Sequence, residues 1–333
     1  MATIRDVARY ANVSTATVSR VMNRNGYADA ETSRRVKEAI EQLDYRPNDV
    51  ARSLFKGRSG MIALLVPDIT NPFFPELARA VEDKTNLNGY SFVLCNTDND
   101  VAKQLNYLNA LQQKSIDGFI IVSSSLTPDN MQSLQVPAVA LDRVISPSMP
   151  SVTVNNRSGA RQAVDHLKAI GCRRIAHVAG LEYADNAAQR MRGYLDAVKQ
   201  EDWFDSRYIV SGAYHFNQAQ EAVETMLSNN PDIDGIFAGN DMMGAGVLHA
   251  AASLGKRIPD DLAVVGFDGI ALSETVTPAL TTMTQPIYDM GAKAADMLIN
   301  QIETADSTVM TEEFNVQLAE RESTLRKAAT NEQ

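Results

Sequence analysis

The chain has 333 residues, of which 44% are hydrophobic, and a formal net charge of −10 at pH 7. This length exceeds that of one compact domain and predicts two or three domains with apolar cores. The net charge alone argues against a nucleic-acid-binding protein. However, residues 1–58 contain eleven Lys or Arg against seven Asp or Glu, which gives +4 and leaves −14 for the remainder. A basic N-terminal segment followed by an acidic remainder predicts that only the N-terminal segment contacts nucleic-acid phosphates.

Two short amphipathic segments open the chain. Thr3 and Asp6 have the spacing of a capping box for a first helix. Ser14 is suited to cap a second helix that begins at Thr15. The pattern predicts a helix-turn-helix, in which the second helix enters the DNA major groove with its N-terminal residues towards the bases.

A third helix is predicted from Asp29, its N-cap, to about residue 44, with Val36 and Ile40 on one face. Three short helices can enclose a small apolar core, which is marginal for a unit of about 45 residues. We therefore expect a helix-turn-helix DNA-binding domain at residues 1–46.

Residues 47–58 form the predicted connection to the next domain. Pro47 ends the third helix, and the segment that follows could make two turns of helix, too short to be stable by itself in water. It contains the apolar pair Leu54 and Phe55. The segment is either a linker with a chance apolar pair, or a hinge that folds on DNA and inserts an apolar wedge into a minor-groove base step.

Strand-like and helical segments alternate from residue 60 onwards. Buried strands are predicted at residues 61–66, 91–95, 118–122, 138–141, 174–178, 235–238, 263–267 and 280–283. Helices are predicted between them at residues 76–88, 103–113, 157–170, 188–199, 217–228 and 243–254. This rhythm indicates parallel sheets covered by helices on both faces. The number of strands favours two sheets, with crossovers near residues 154–157 and 284–287 and a cleft between the lobes.

Polar side chains follow several of the predicted strands at their carboxyl ends, where open α/β sheets bind ligands. They include Asp142, Arg143, Asn240, Asp268 and Gln285. Any one of them could be an ordinary turn former or helix cap. Their joint placement, together with a pair of phenylalanines after the first strand, fits a polyhydroxylated ligand, because carboxylates and amides accept from hydroxyls, Arg donates, and an aromatic face covers C–H groups.

Nothing in the sequence points to catalysis. The four histidines are scattered, and no nucleophile motif, metal-ligand spacing or phosphate-binding glycine-rich loop is present. We expect neither an enzyme nor a metal or other cofactor. Cys95 and Cys172 lie in or beside apolar segments and are expected to be buried free thiols. The sequence shows no signal peptide and no apolar run of membrane-spanning length, so we expect a cytoplasmic protein.

Over nearly its whole length the chain resembles the lactose/galactose-repressor family. The motifs that carry the likeness are residues 3–8, 13–22, 45–48, 50–54, 71–74, 240–245, 265–268 and 278–282. The resemblance implies a homodimer that binds a near-palindromic operator and a small effector. It also implies a helix-turn-helix head on two doubly wound parallel-sheet lobes of the periplasmic-binding-protein type.

The resemblance implies DNA-contacting residues in the recognition helix and the hinge. Arg20 is the strongest candidate for reading a base, since Arg pairs well with guanine O6 and N7. Leu54 matches the leucine that inserts into the central operator step. The full implied set is Thr15, Ala16, Thr17, Arg20, Asn23, Asn48, Ala51 and Leu54.

The implied effector pocket is similar to that of ribose-binding members, and the chain as a whole is similar to ribose operon repressors. Its residues are Asn71, Phe73, Phe74, Asp142, Arg143, Arg190, Tyr214, Asn240, Asp268 and Gln285, with Phe216 as an alternative to Tyr214. Two alternatives stay open: a purine- or nucleoside-responsive repressor, and a global regulator like the catabolite control protein, with a serine-phosphorylated phosphocarrier protein as co-repressor. The Asp142-Arg143 pair favours a direct sugar sensor.

The resemblance also sets domain boundaries. An effector-binding and dimerisation domain is expected at residues 59–327, followed by a tail at 328–333. Its N-lobe comprises residues 59–156 and 287–315, and its C-lobe comprises 157–286 and 316–327. The last twelve residues lack a leucine heptad, so we expect a dimer and not a tetramer.

Overall fold

The computed structural model describes residues 2–23, 29–45, 58–123, 125–304 and 308–325. The chain divides into two compact units, Met1–Ser59 and Gly60–Gln333. The predicted hinge, with Asn48, Ala51 and Leu54, falls outside the described residues, as does the predicted tail.

The described residues of the first unit form three helices, α1 (Ile4–Tyr10), α2 (Thr15–Asn23) and α3 (Ala30–Gln42). Each has its predicted cap, formed by Thr3 with Asp6, by Ser14 and by Asp29, respectively. The helices enclose a small core in which the fully buried apolar side chains are Val7, Ala8, Ala11, Val18, Val36 and Ala39. The helix-turn-helix prediction is confirmed, and α3 ends two residues before the predicted boundary.

The second unit contains two six-stranded sheets. The N-lobe sheet has the order β11-β5-β4-β3-β1-β2, with all neighbours parallel. Its strands are β1 (Met61–Val66), β2 (Ser91–Asn96), β3 (Gly118–Ile121), β4 (Ala138–Leu141), β5 (Ser151–Val154) and β11 (Thr311–Phe314). Its helices are α4 (Phe73–Leu87), α5 (Val101–Gln113), α6 (Pro128–Met131) and α12 (Ile287–Thr304). Apolar clusters fill both faces of this sheet.

The C-lobe sheet has the order β12-β10-β9-β8-β6-β7, in which β12 alone is antiparallel to its neighbour. Its strands are β6 (Ile175–Ala179), β7 (Ile209–Ser211), β8 (Gly235–Ala238), β9 (Ala263–Asp268), β10 (Thr281–Thr284) and β12 (Gln317–Ala319). Its helices are α7 (Asn156–Ala169), α8 (Asp185–Val198), α9 (Phe216–Asn229), α10 (Asp241–Ser253) and α11 (Leu272–Thr275), with a 3-10 turn at Ser206–Tyr208.

The chain passes between the two sheets three times: after β5, after β10, and between β11 and β12. The eight predicted strands are present, each within one residue of its predicted bounds. The prediction that residues 91–95 form a buried strand is wrong for residues 91–94, because β2 lies at the sheet edge and Leu94 is 43% exposed, whereas Cys95 is buried. The two cysteines are free and buried, as predicted. No helix within the described ranges is long and apolar enough to span a membrane.

Candidate functional site

The cleft between the lobes brings together most of the predicted effector residues. It encloses about 530 Å³, counting the part open to solvent. Nine of the ten predicted residues line it, namely Asn71, Phe73, Phe74, Asp142, Arg143, Arg190, Tyr214, Asn240 and Asp268. The tenth, Gln285, lies one hydrogen bond away, since its Nε2 donates to Asp268 Oδ1 at 2.7 Å.

The backbone at three of these positions has left-handed torsion angles. Asp142 has φ 67°, Tyr214 has φ 65° and Asp268 has φ 106°. Such conformations cost a residue other than glycine about 1–3 kcal/mol and persist only where the surrounding structure holds them. At the ends of β4 and β9 they turn the chain so that these two acidic side chains line the cleft.

Phe73 and Phe74 form an aromatic wall at the start of α4. Their rings meet edge to face, with centroids 5.3 Å apart, and both are almost fully buried. The side chain of Asn71 accepts from the Phe73 backbone N–H at 3.1 Å, which fixes the turn that carries the pair. This wall can cover the apolar side of a sugar ring.

Asp142 is at the centre of one polar cluster. Its Oδ2 accepts from Arg143 Nε at 3.1 Å and from Asn186 Nδ2 at 3.1 Å. Tyr214 donates its hydroxyl hydrogen to Asn186 Oδ1 at 3.0 Å. Within the described part of the chain, Asp142 Oδ1 is buried and has no hydrogen-bond partner. A buried acceptor of this kind favours a ligand that donates a hydrogen bond to it.

Arg190 is at the centre of the second cluster. Its Nε donates to Asn156 Oδ1 at 2.8 Å, and its Nη1 donates to the Gly239 carbonyl at 2.5 Å and to Asp268 Oδ1 at 3.1 Å. The guanidinium also lies 3.8 Å above the centre of the Phe267 ring. The side chain is therefore held by α7, by the loop after β8 and by β9, a degree of order suited to recognising a ligand.

Asp268 is fully buried, and burial is the main cause that raises its pKa to about 6, while Arg190 opposes this shift. Its second partner, Gln285, has a buried Oε1 with no hydrogen-bond partner among the described residues. Asp268 therefore presents its carboxyl group at the cleft, and the Gln285 amide is hydrogen-bonded to it from behind the lining.

Asp241 holds the loop that follows Asp268. Its Oδ2 accepts from the backbone N–H groups of Gly269 and Ile270 at 2.8 and 2.9 Å, and its Oδ1 accepts from the Thr282 hydroxyl at 2.5 Å. Burial raises the pKa of Asp241 well above its usual value. We interpret Asp241 as a structural residue that supports the cleft from behind.

Several polar residues serve both as caps and as part of the cleft. Asn240 lines the cleft, but its Oδ1 also caps α10 by accepting from the Met243 N–H at 2.9 Å. Asn186 and Asn156 belong to the two clusters and were not predicted. Asn186 lies four residues before Arg190, on the same face of α8, and this spacing could have pointed to it.

The predicted DNA-reading residues of α2 differ in exposure. Thr15, Ala16 and Arg20 are exposed, whereas Thr17 is half-buried and its hydroxyl lies 2.9 Å from that of Ser14 within the cap. The side chain of Asn23 falls outside the described residues. The predicted role of all these residues in base recognition stays a prediction.

The fold and the cleft define a class: proteins with two α/β lobes that hold a small molecule between them, here preceded in sequence by a helix-turn-helix unit. Residues 59–321 match the family described as periplasmic binding proteins and the sugar-binding domain of the LacI family. Residues 3–48 match the bacterial regulatory proteins of the lacI family. The chain belongs to the lacI family of bacterial regulatory proteins.

Relatives that match the whole chain are named as regulators. A ribose operon repressor of Halalkalibacterium halodurans is 47% identical over 324 residues, covering 97% of both chains. Catabolite control protein A of Priestia megaterium is 40% identical over 316 residues, covering 92% of this chain and 95% of that protein. These findings confirm the predicted family and the predicted class of sugar-responsive DNA-binding repressors.

Solved structures agree with this assignment. A lac repressor dimer bound to operator and the anti-inducer ONPF superposes with a TM-score of 0.88 at 26% identity, covering 98% of this chain and 99% of that one. A LacI-family regulator from Enterococcus faecium with bound ribose has a TM-score of 0.72 at 27% identity, covering 79% of this chain and 98% of that one. The predicted fold class is confirmed.

Proposed function

We propose that this protein represses genes of ribose, or more generally pentose, utilisation, and that the free sugar binds in the cleft. A homodimer binds a near-palindromic operator in the cytoplasm, and the sugar changes its affinity for that operator. The names of the ribose operon repressor and of the ribose-bound regulator support this choice of sugar.

The observation that carries the proposal is the charge balance of the cleft. Each of its two buried arginines is paired with a buried aspartate: Arg143 with Asp142, and Arg190 with Asp268. A phosphorylated sugar would bring buried negative charge to guanidinium groups that already have anionic partners, which is costly. A neutral polyol avoids this cost, and one of its hydroxyls can donate to Asp142 Oδ1, the buried oxygen that has no hydrogen-bond partner among the described residues.

Isothermal titration of the full chain with ribose, ribose 5-phosphate and hypoxanthine tests this proposal. We expect ribose to bind and ribose 5-phosphate to bind at least about 100-fold more weakly, because the phosphate would be buried beside arginines that are already paired. A 100-fold difference corresponds to about 2.8 kcal/mol of binding free energy. Thermal unfolding serves as the control for an intact fold. Absence of binding by any pentose at millimolar concentration would falsify the assignment of the pocket, and tight binding of hypoxanthine would favour a purine-responsive repressor.

A second candidate, a global regulator with a phosphorylated protein as co-repressor, is supported by the 40% identity to catabolite control protein A. The two candidates differ in their partner. Capture of the serine-phosphorylated phosphocarrier protein on the immobilised chain, with the unphosphorylated form as control, distinguishes them. Capture of the phosphorylated form alone, without sugar binding in the titration, favours this second function.

Replacing Arg20 with Ala tests the DNA-binding surface. If the exposed Arg20 reads a guanine, the change costs about 1–3 kcal/mol of operator binding and relaxes base preference at one position of each half-site. Fluorescence anisotropy with an operator selected by the wild-type protein, and with single-base variants of it, measures both effects. An equal loss on every DNA sequence would show that Arg20 contacts only phosphate.

A further inference from the structure

One hydrogen bond crosses the cleft directly from lobe to lobe. Asp142 follows β4 in the N-lobe, and Asn186 lies in the first turn of α8 in the C-lobe. Asn186 Nδ2 donates to Asp142 Oδ2 at 3.1 Å, and the two side chains belong to residues only 3–4% exposed. We name this contact the Asn186 bridge. It joins the two lobes inside the cleft in which we propose that the sugar binds.

The orientation of the Asn186 amide is determined by two donors. Its Oδ1 accepts from the Ala187 backbone N–H at 2.9 Å and from the Tyr214 hydroxyl at 3.0 Å. Because a backbone N–H can only donate, the amide oxygen must face Ala187, and the NH₂ group is left to face Asp142. Burial raises the pKa of Tyr214 to about 12, so its hydroxyl keeps its proton at neutral pH.

Gly180 leaves the space that the Tyr214 ring occupies. A Cβ atom placed on Gly180 would lie 2.2 Å from the Tyr214 ring, so the ring occupies space that any other residue at 180 would fill. The left-handed backbone of Tyr214 brings it to this place. Gly180, Tyr214 and Asn186 thus form one ordered path from the C-lobe to the N-lobe carboxyl group.

We propose that Asn186 is a closure residue, whose bridge to Asp142 sets how far the lobes are closed before and after the effector binds. The bridge uses Asp142 Oδ2, which also accepts from Arg143, whereas Oδ1 is buried and has no partner in the part of the chain that the structure describes. A sugar hydroxyl can therefore bind Oδ1 while the bridge stays in place, and both favour the closed lobes. The role of the bridge in the sugar-bound state rests on the proposed function.

Lobe closure can be measured without any ligand. Spin labels on Lys114→Cys in the N-lobe and Ser228→Cys in the C-lobe occupy exposed positions, while both native cysteines are buried. We expect Asn186→Ala to shift the distance distribution of the sugar-free full chain from that of the parent protein and to broaden it. The matched control is Asn230→Ala, which removes a side-chain hydrogen bond to Met226 within one lobe and should leave the distribution unchanged.

Titration with ribose supplies the second readout. We expect Asn186→Ala to weaken binding about tenfold, the effect of one hydrogen bond to a charged group, while Asn230→Ala changes it less than twofold. Tyr214→Phe removes one of the two donors that orient the amide and leaves the Ala187 N–H in place, so it should shift the distances in the same direction by a smaller amount. Asn186→Leu, which keeps the volume of the side chain without its amide, covers the case in which Asn186→Ala does not fold.

Two results would overturn the proposal. Unchanged sugar-free distances in Asn186→Ala, or in Asn186→Leu if the first variant is unfolded, mean that the bridge does not control closure, whatever happens to affinity. Altered distances with unchanged ribose affinity mean that closure and sugar binding are independent. If no sugar binds even the parent protein, the sugar-free distances still decide the role of the bridge, so this failure is separate from that of the proposed function.

Discussion

Arg190→Ala is expected to abolish effector binding and to lower the free energy of unfolding of the two-lobe unit by about 3–5 kcal/mol. The reason is that one side chain supplies three hydrogen bonds and covers Phe267, and its removal leaves the Asp268 carboxylate buried beside Gln285 alone. Urea unfolding at pH 7.5 measures the loss of stability. Titration with ribose measures the loss of binding, which we expect to exceed 100-fold.

The control variants separate charge from shape. Arg190→Lys keeps the positive charge but not the planar fork, so it should retain part of the stability while still losing most of the binding. Asp268→Asn in the Arg190→Ala background removes the unpaired buried charge and should recover part of the lost stability without restoring binding. If Arg190→Ala costs less than about 1 kcal/mol, the cluster does not have the central role that its geometry indicates.

The loss of stability caused by Arg190→Ala should depend on pH, and the pKa of Asp268 predicts in which direction. The pKa of Asp268 is raised to about 6, mainly by burial, which means that the folded state binds a proton on this carboxyl group more readily than the unfolded state does. This contribution to stability is present below pH 4 and is lost as pH rises through 6. Without Arg190, which lowers this pKa, the folded state should prefer the proton more strongly. The destabilisation by Arg190→Ala should therefore be smaller at pH 5 than at pH 7.5.

How much of the fold the sequence predicts depends on how strongly each segment is buried. Strands such as Met61–Val66 are continuous apolar runs, so both their existence and their bounds could be predicted. The strand Thr311–Phe314 is short, charged and at a sheet edge, so it carries no pattern that distinguishes it from a loop. The helix Phe73–Leu87 was predicted to begin after Pro75, but proline is tolerated in a first helical turn.

The cleft was predictable for a different reason. Parallel strands place their carboxyl ends at one edge, so residues that follow different strands, such as Asp142 and Asp268, can be assigned to one site without knowledge of the distances. Asn186 does not follow a strand directly, and an Asn at the start of a helix usually indicates a cap. Its contact with Asp142 depends on how the lobes meet, which local pattern does not encode.

The site also shows that one residue can both cap a helix and line the ligand-binding cleft. Asn71 and Asn240 both line the cleft, yet each also accepts a hydrogen bond from a backbone N–H in the first turn of a helix. The amide oxygen therefore stabilises the local fold and fixes the side chain beside the ligand site. Such double use explains why turn formers at strand ends are informative as a set, although each one alone predicts little.

Val18→Asp is expected to unfold the first unit and reduce operator binding at least 100-fold, while sugar binding by the second unit changes less than twofold. Val18 is fully buried in a core of six small or branched side chains, and a buried carboxylate without a partner costs several kcal/mol. A unit of this size has little stability to lose. Fluorescence anisotropy with operator DNA and titration with ribose measure the two activities separately.

The matched control, Gln42→Glu, adds the same charge to an exposed position in the last turn of α3 and should keep operator binding within about threefold. Limited proteolysis reports the folding state directly, because an unfolded first unit is cleaved rapidly while the second unit stays intact. If Val18→Asp also abolishes sugar binding, the two units do not fold independently. If it leaves operator binding unchanged, the small core around Val18 is not what holds the recognition helix in place.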